Sequence, residues 1–202
     1  VYDKYNSRIF KGVLKKYTKV FTQDENSERE LKEMRVDHAL YVGNLKFNRA
    51  KIQKKEKYKN KELINYLGDD KCIVFGSTWG RDEEIIFDYI SEEINKEVKY
   101  IIAPHEVSEK NINRIKSKLN NKVNLLSDYK YNAQNNILIV DSVGVLKYLY
   151  KFSNISYVGG GFKKKGLHNT LEPCVYGNPV IFGKYFKFSN EAKALIKLKG
   201  GF

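Results

Sequence analysis

The chain has 202 residues, 42% of them hydrophobic, and its 37 basic against 24 acidic residues give a net charge of +13. That length holds one full domain and part of another, and no apolar run approaches the roughly 20 residues of a membrane span. Residues 1–8 lack the charged start, apolar core and cleavage site of a secretory signal.

In chain order, strands are expected at 20–22 and 40–42, around a helix at 27–34. Residues 49–61 carry seven basic residues, one Glu and little periodicity, which reads as a solvated linker. From about Asn60 the pattern settles into short, continuous apolar strands at 72–75, 100–103, 123–126, 137–140, 155–158 and 180–182. Helical patterns at 83–95, 109–119, 143–152 and 171–176 separate most of them. Apolar strands between amphipathic helices indicate a parallel sheet covered on both faces, a doubly wound, Rossmann-like α/β domain. Cys72 and Cys174 lie far apart in apolar stretches and read as buried free thiols of a reducing, cytoplasmic setting. His38, His105 and His168 show no metal-ligand spacing.

Sheets of this kind bind ligands at the carboxyl ends of their strands. The loops expected there are Gly76-Ser77-Thr78-Trp79-Gly80, Pro104-His105-Glu106, Asp141-Ser142-Val143-Gly144 and a run of three glycines ending at Gly161. Each has an ordinary explanation: a turn or cap at Ser77 or Thr78, a helix stop at Pro104, an N-cap at Asp141, a tolerated helix glycine at Gly144. The glycines lead through the basic loop Lys163-Lys164-Lys165 to His168-Asn169-Thr170-Leu171-Glu172-Pro173. Glycines after a strand let backbone N–H groups approach a ligand, and a helix start beyond them favours an anion. Asn169 and Glu172, three apart, suit the rest of a nucleotide, the carboxylate accepting ribose hydroxyl protons. The same pair can equally be a capping box that binds nothing.

A dinucleotide fingerprint and a P-loop are both missing from the sequence. Ser77, His168 and Asp141 supply the residue types of a hydrolase triad, but no Gly-x-Ser-x-Gly elbow carries the serine. The positive charge admits a polyanion or an anionic membrane face as partner. It is lysine spread along helices, without a zinc, RRM-type or strong helix-turn-helix pattern, and a nucleic-acid partner is not expected.

Taken together, Gly43-Asn44-Leu45-Lys46-Phe47, Ser77-Thr78-Trp79 with Glu83-Glu84, Asp141-Ser142-x-Gly144, Tyr157-Val158-Gly159-Gly160-Gly161, His168-Asn169-x-Leu171-Glu172-Pro173 and Gly177-x-Pro179-Val180-x-Phe182-Gly183 resemble the 3-deoxy-D-manno-octulosonic acid (Kdo) transferases. The resemblance runs over nearly the whole chain. It implies a two-domain GT-B glycosyltransferase that moves Kdo, with inversion, from CMP-Kdo to a lipid A precursor. The work would be done at the cytoplasmic face of the bacterial inner membrane, an anionic surface, with no metal and no other cofactor. Residues 1–46 would end the acceptor domain, 47–60 would link, and 61–202 would form a donor domain cut short at its C-terminus.

By the same resemblance the general base lies upstream of Val1, and no residue of this chain is assigned as catalytic. Asn169 and Glu172 would contact the CMP part of the donor, with Thr170, Leu171 and His168 beside them. Ser77 and Thr78 would sit at the interdomain cleft, and Pro104, His105, Val143, Gly144, Val145, Gly160 and Gly161 would complete the substrate-binding set. Two departures stand out: Pro104-His105-Glu106 replaces the family's Pro-Arg-His, and Val145 follows Gly144 where the family has Glu. A UDP-sugar transferase or epimerase of the same architecture, and a non-catalytic basic polyanion-binding domain, remain the alternative readings.

Overall fold

The computed structural model describes residues 4–56, 58–92, 97–128, 130–163 and 166–202. Lys164, Lys165 and the end of the helix expected at 83–95 lie outside them. The chain divides into two compact units, Val1–Lys51 and Ile52–Phe202.

In the first unit, helix α1 (Lys4–Leu14) precedes a small βαβ arrangement. Strands β1 (Val20–Thr22) and β2 (Ala39–Tyr41) pair in parallel around helix α2 (Glu25–Glu33). Asp24 caps α2, its Oδ1 accepting from the Ser27 N–H at 2.8 Å and its Oδ2 from the Ser27 hydroxyl at 2.9 Å; such a cap contributes about 1 kcal/mol. Val36 and Ala39 are buried, while Phe21, Leu40 and Tyr41 remain exposed.

Helix α3 (Leu45–Lys55) carries the chain into the second unit, so much of the stretch expected as a solvated linker is helical. Ala50 and Gln53 are its buried residues, and the Gln53 amide donates to the Lys147 carbonyl at 2.9 Å. Only two positions of this lysine-rich helix are covered, which is why no apolar stripe announces it in the sequence.

The second unit opens with helix α4 (Lys61–Leu67), capped by Asn60. There follow β3 (Lys71–Thr78), α5 (Gly80–Glu92), β4 (Val98–Pro104), α6 (Glu109–Lys118), β5 (Asn124–Leu125), β6 (Ile137–Ile139), α7 (Leu146–Leu149), β7 (Ile155–Val158), α8 (Leu171–Cys174), β8 (Val180–Phe182) and α9 (Asn190–Lys197). The strands form one parallel sheet in the order β5–β6–β4–β3–β7–β8. This is the expected doubly wound α/β fold. Four helices of this unit differ from expectation. The one expected at 143–152 starts at Leu146 and tightens into a 3-10 turn at Tyr150–Phe152, because Gly144, at φ +85°, breaks the helical path before it. The segment expected at 171–176 stops at Cys174, and α4 and α9 were not expected.

Strand alternation splits the core in two. Cys72, Val74, Ile101, Ala103, Leu138 and Val140 face one side with Leu63 and Leu67 of α4 and Leu149 of α7. Phe75, Tyr100, Ile102, Ile137 and Ile139 face the other with Ile86 and Ile90 of α5 and Ile112 and Ile115 of α6. Each Val, Leu, Ile or Phe among them contributes roughly 1.5–3 kcal/mol when fully buried, which favours this register, since a one-residue slip would exchange the faces. Cys72 is buried as expected, whereas Cys174 is half-buried; both thiols are free. From β3 the chain moves first toward β4 and later returns to lay β7 on the opposite side, so the order reverses between β3 and β7. Crevices at such a reversal, beyond the strands' carboxyl ends, are where ligands bind.

Candidate functional site

The end of β3 is bent. Its pairing with β4 skips from Gly76 opposite Ala103 to Thr78 opposite Pro104, and Ser77, between them, takes φ +54°. This bulge aims the next residue, Trp79, across the carboxyl ends of the neighbouring strands. The His105 N–H donates to the Thr78 carbonyl at 2.9 Å, and the Gly159 N–H donates to the Gly76 carbonyl at 2.8 Å. The loops after β3, β4 and β7 are thereby tied together at the reversal point.

Above them lies a cluster of rings. The Trp79 indole stacks on the His105 imidazole with centroids 4.1 Å apart and planes 23° from parallel. His168 approaches His105 at 4.6 Å and accepts the indole N–H at Nε2, 3.0 Å away. Lys163 places its ammonium 3.8 Å from the indole centroid, in a cation–π contact. Burial and, after it, the neighbouring His105 push the His168 pKa below its usual range, with Asp82 opposing them.

Two buried carboxylates support the cluster. Asp82, 1% exposed, accepts from the Trp79 N–H at 2.9 Å and the Gly160 N–H at 3.1 Å through Oδ2, and from the Tyr157 hydroxyl at 2.6 Å through Oδ1. Burial and then the Asp82 bond push the Tyr157 phenol well above its usual range. Glu83 accepts from the Thr78 hydroxyl at 3.1 Å and pairs with Arg114. Thr78 is consequently a buried anchor within this network.

The glycine segment differs from the open phosphate cradle expected of it. Its Gly159 and Gly160 N–H groups are bonded within the protein. A Cβ at Gly159 would lie 2.2 Å from the Ser77 carbonyl oxygen, and one at Gly161 2.5 Å from the Gly183 nitrogen. These glycines are required because backbones touch there. Gly160, at φ +89°, also leaves room for the edge of the His168 ring.

Asn169 is exposed, and its Oδ1 accepts the Leu171 N–H at 3.1 Å while its amide donates to Glu172 Oε1 at 3.2 Å. The pair is thus joined side chain to side chain. A capping box, by contrast, would take the Glu172 carboxylate to the Asn169 backbone N–H. The cap position of α8 is Thr170 rather than Asn169, and four helical residues sum only a small dipole. Leu171 is buried in the core, and Thr170 is buried with its hydroxyl lacking a partner among the described residues. Glu172 is half-buried, and its charge, after burial, adds to raising the Tyr150 phenol. Tyr150 in turn lies against Gly76, where an added Cβ would be 1.9 Å from its hydroxyl.

The remaining expected residues are placed unevenly. Pro104 is buried at the end of β4, whereas Val143 is 84% exposed. No hydrogen bond or ring contact among the described residues joins Val143, Gly144 or Val145 to the ring cluster. Asp141 accepts from the Ser127 N–H and hydroxyl at 3.1 and 2.5 Å, and so secures the turn after β5 instead of capping α7. Trp79 and Asp82 were missed as functional positions. Trp79 follows the strand directly and was legible by position, whereas Asp82 reads from sequence as an ordinary first-turn acid.

The cluster offers what an anionic, ring-bearing ligand needs: a cation, imidazole N–H groups and a carboxylate-amide pair at one sheet edge. Among the described residues no group of three or more His, Cys, Asp or Glu stands ready for a metal ion.

No protein-family profile matches the chain. It is 33% identical over its whole length to a bifunctional glycosyltransferase/methyltransferase of Fusobacterium nucleatum, covering 33% of that protein. It is 31% identical over 87% of its length to the 3-deoxy-D-manno-octulosonic acid transferase of Rickettsia prowazekii, of which it covers 39%. With that of Aquifex aeolicus it shares 29% identity over 96% of its length and 52% of the relative's. The chain therefore spans one third to about half the length of these relatives.

Among solved structures, the C-terminal CMP-Kdo binding domain of WaaA from Acinetobacter baumannii superposes with a TM-score of 0.58 at 23% identity, over 77% of this chain and 80% of that one. A UDP-N-acetylglucosamine 2-epimerase superposes at 0.60 and 12% identity over 98% of this chain and 48% of that one, and both likenesses speak to the fold. Over most of its length the chain is a homologue of the 3-deoxy-D-manno-octulosonic acid transferases.

Proposed function

We propose that this chain forms the donor-binding part of a glycosyltransferase that moves Kdo from CMP-Kdo to a lipid A precursor, with inversion. The observation that carries the reading is the gathering of Trp79, His105, Lys163 and His168, with Asn169 and Glu172 following, at the strand reversal of a Kdo transferase homologue. As the bond from Kdo to CMP breaks, negative charge develops on the departing phosphate. Lys163 and the imidazoles, fixed before the reaction, would stabilise it without reorganisation. Glu172 would accept ribose hydroxyl protons, and Asn169 would hold that carboxylate in place. The base that deprotonates the acceptor hydroxyl is not assigned to any residue here. The reading includes no metal ion, and it places the protein at the cytoplasmic face of the inner membrane, where its net charge of +13 suits an anionic surface.

The test is calorimetric titration with CMP, UMP and AMP at moderate salt. CMP is expected to bind at least tenfold tighter than UMP, and Glu172→Ala to weaken CMP binding severely while leaving unfolding cooperative. Equal binding of all three, or a steeply salt-dependent affinity for any polyanion, would refute it.

A further inference from the structure

The ring cluster contains one hydrogen bond whose direction is set by chemistry. An indole nitrogen can only donate, so the 3.0 Å contact from Trp79 Nε1 to His168 Nε2 requires a lone pair on Nε2. In the neutral ring the proton then sits on Nδ1. A doubly protonated ring would turn a second N–H against the indole N–H, so the contact opposes ionisation of His168.

The surroundings act mostly in the same direction. From the loop after β4, His105 lies 4.6 Å away, and from the loop after β7, Lys163 sits on the far partner of the bond, 3.8 Å from the indole centroid. Asp82 of α5 favours the charged ring but holds the Trp79, Gly160 and Tyr157 donors. Glu106, next to His105, accepts the Ser108 hydroxyl at 2.7 Å. The residue is also held from behind: the His168 backbone N–H donates to the Gly159 carbonyl at 3.1 Å, and the Cδ2 edge of the ring packs on Gly160, whose missing side chain leaves the space.

We propose that Trp79 is a positioning residue that fixes His168 as the neutral Nδ1–H tautomer, so that the site meets its ligand's phosphate with an uncharged N–H from His168 and with charge from Lys163. The two demands of anion recognition are thereby divided. A directed donor that keeps one tautomer is supplied by the imidazole, and a point charge by the lysine. Neither residue type is read this way from the sequence, where His168 stands beside lysines and invites assignment as a second cation. The phosphate half of the inference rests on the CMP-sugar reading above, and the tautomer half does not.

Two-bond ¹H–¹⁵N spectra of the histidine rings in this chain, without ligand at pH 7.5, decide the tautomer. His168 is expected to show a protonated Nδ1 and an unprotonated Nε2. Trp79→Phe keeps a ring for His105 and Lys163 to stack on but removes the donor, so the tautomers should mix and the His168 titration midpoint should rise. An Nε2–H or doubly protonated His168 in the wild-type chain overturns the proposal, whether or not the variant folds.

CMP titration tests the phosphate half. His168→Ala should weaken CMP about tenfold. His168→Asn, whose amide nitrogen reaches the Nδ1 position, should recover affinity to within about threefold of the wild type, while His168→Gln, which reaches only the Nε2 position, should not. Equal recovery by both, or by Gln alone, overturns this half. If the wild-type chain binds no CMP, the phosphate half falls with the functional reading, and the tautomer stands on its own spectrum.

Discussion

Replacing Asp82 should be among the most damaging single changes near the site. Its carboxylate is 1% exposed and holds three donors: the Trp79 N–H, the Gly160 N–H and the Tyr157 hydroxyl. Hydrogen bonds to a charged group contribute about 1.5–3 kcal/mol each, and a buried donor left unpaired costs about 1–3 kcal/mol. Asp82→Ala leaves two backbone donors and one hydroxyl without their acceptor. Against this stands the relief of no longer burying a carboxylate, which offsets part of the loss. The net expectation is about 3–5 kcal/mol, out of the roughly 5–15 kcal/mol by which domains are stable.

Asp82→Asn keeps the shape and one acceptor oxygen and should cost about half as much. Urea unfolding followed by circular dichroism and by fluorescence of Trp79, the chain's single tryptophan, measures both effects. Coincident transitions by the two probes would license the free energies. A loss below about 1 kcal/mol for Asp82→Ala would refute the assignment of this carboxylate as the support under the ring cluster.

Other consequences can be measured on the same material. Gly161→Ala drives a Cβ to 2.5 Å from the Gly183 backbone, where no rotamer can yield, whereas Gly144→Ala at φ +85° meets nothing within 4 Å. The first should cost about 3 kcal/mol or more and the second about 1–2 kcal/mol in urea unfolding; the reverse order would contradict the backbone contact. Burial pushes the Cys72 thiol up to about 12 and raises that of half-buried Cys174 less. A thiol reagent at pH 8 should therefore label Cys174 first and Cys72 only on unfolding. For His168 the folded pKa lies below the unfolded value, chiefly through burial. Its contribution to stability is present above about pH 6.5 and lost as pH falls through the folded value, because the unfolded chain takes up the proton first. The acid limb of the stability curve should flatten in His168→Asn, read by thermal unfolding between pH 5 and 8.

The sheet was legible because its strands are continuous apolar runs of a length that only a two-sided burial explains. Helices α1, α3, α4 and α9 were not expected, and for α3 the reason is plain: Ala50 and Gln53 are its only buried positions among many lysines. The candidate site was legible as a set of loops, since strand ends are visible in sequence. The roles within it were not. Whether a glycine is there for a ligand or for a neighbouring backbone depends on contacts between residues as distant as Ser77 and Gly159. Likewise, nothing local separates the buried Asp82 and Glu83 from exposed Glu84 in the same turn. Leu171, expected beside the donor, turned inward because a helix of four residues still needs one apolar anchor.

The bend at Ser77 and the bare Cα of Gly159 have a consequence for anyone who would transplant this binding edge. A non-glycine residue at φ +54° carries a conformational cost of about 1–2 kcal/mol. It is met here by a partner segment whose missing Cβ allows the carbonyl of the bent residue to lie against it. Neither half fits an ordinary counterpart: a regular strand end would move the carbonyl, and any side chain at 159 would strike it. Loop grafts or recombined chimaeras that exchange residues 76–82 without 158–161 should inherit the strain and lose the fit, so the two segments behave as one heritable part although about 80 positions separate them.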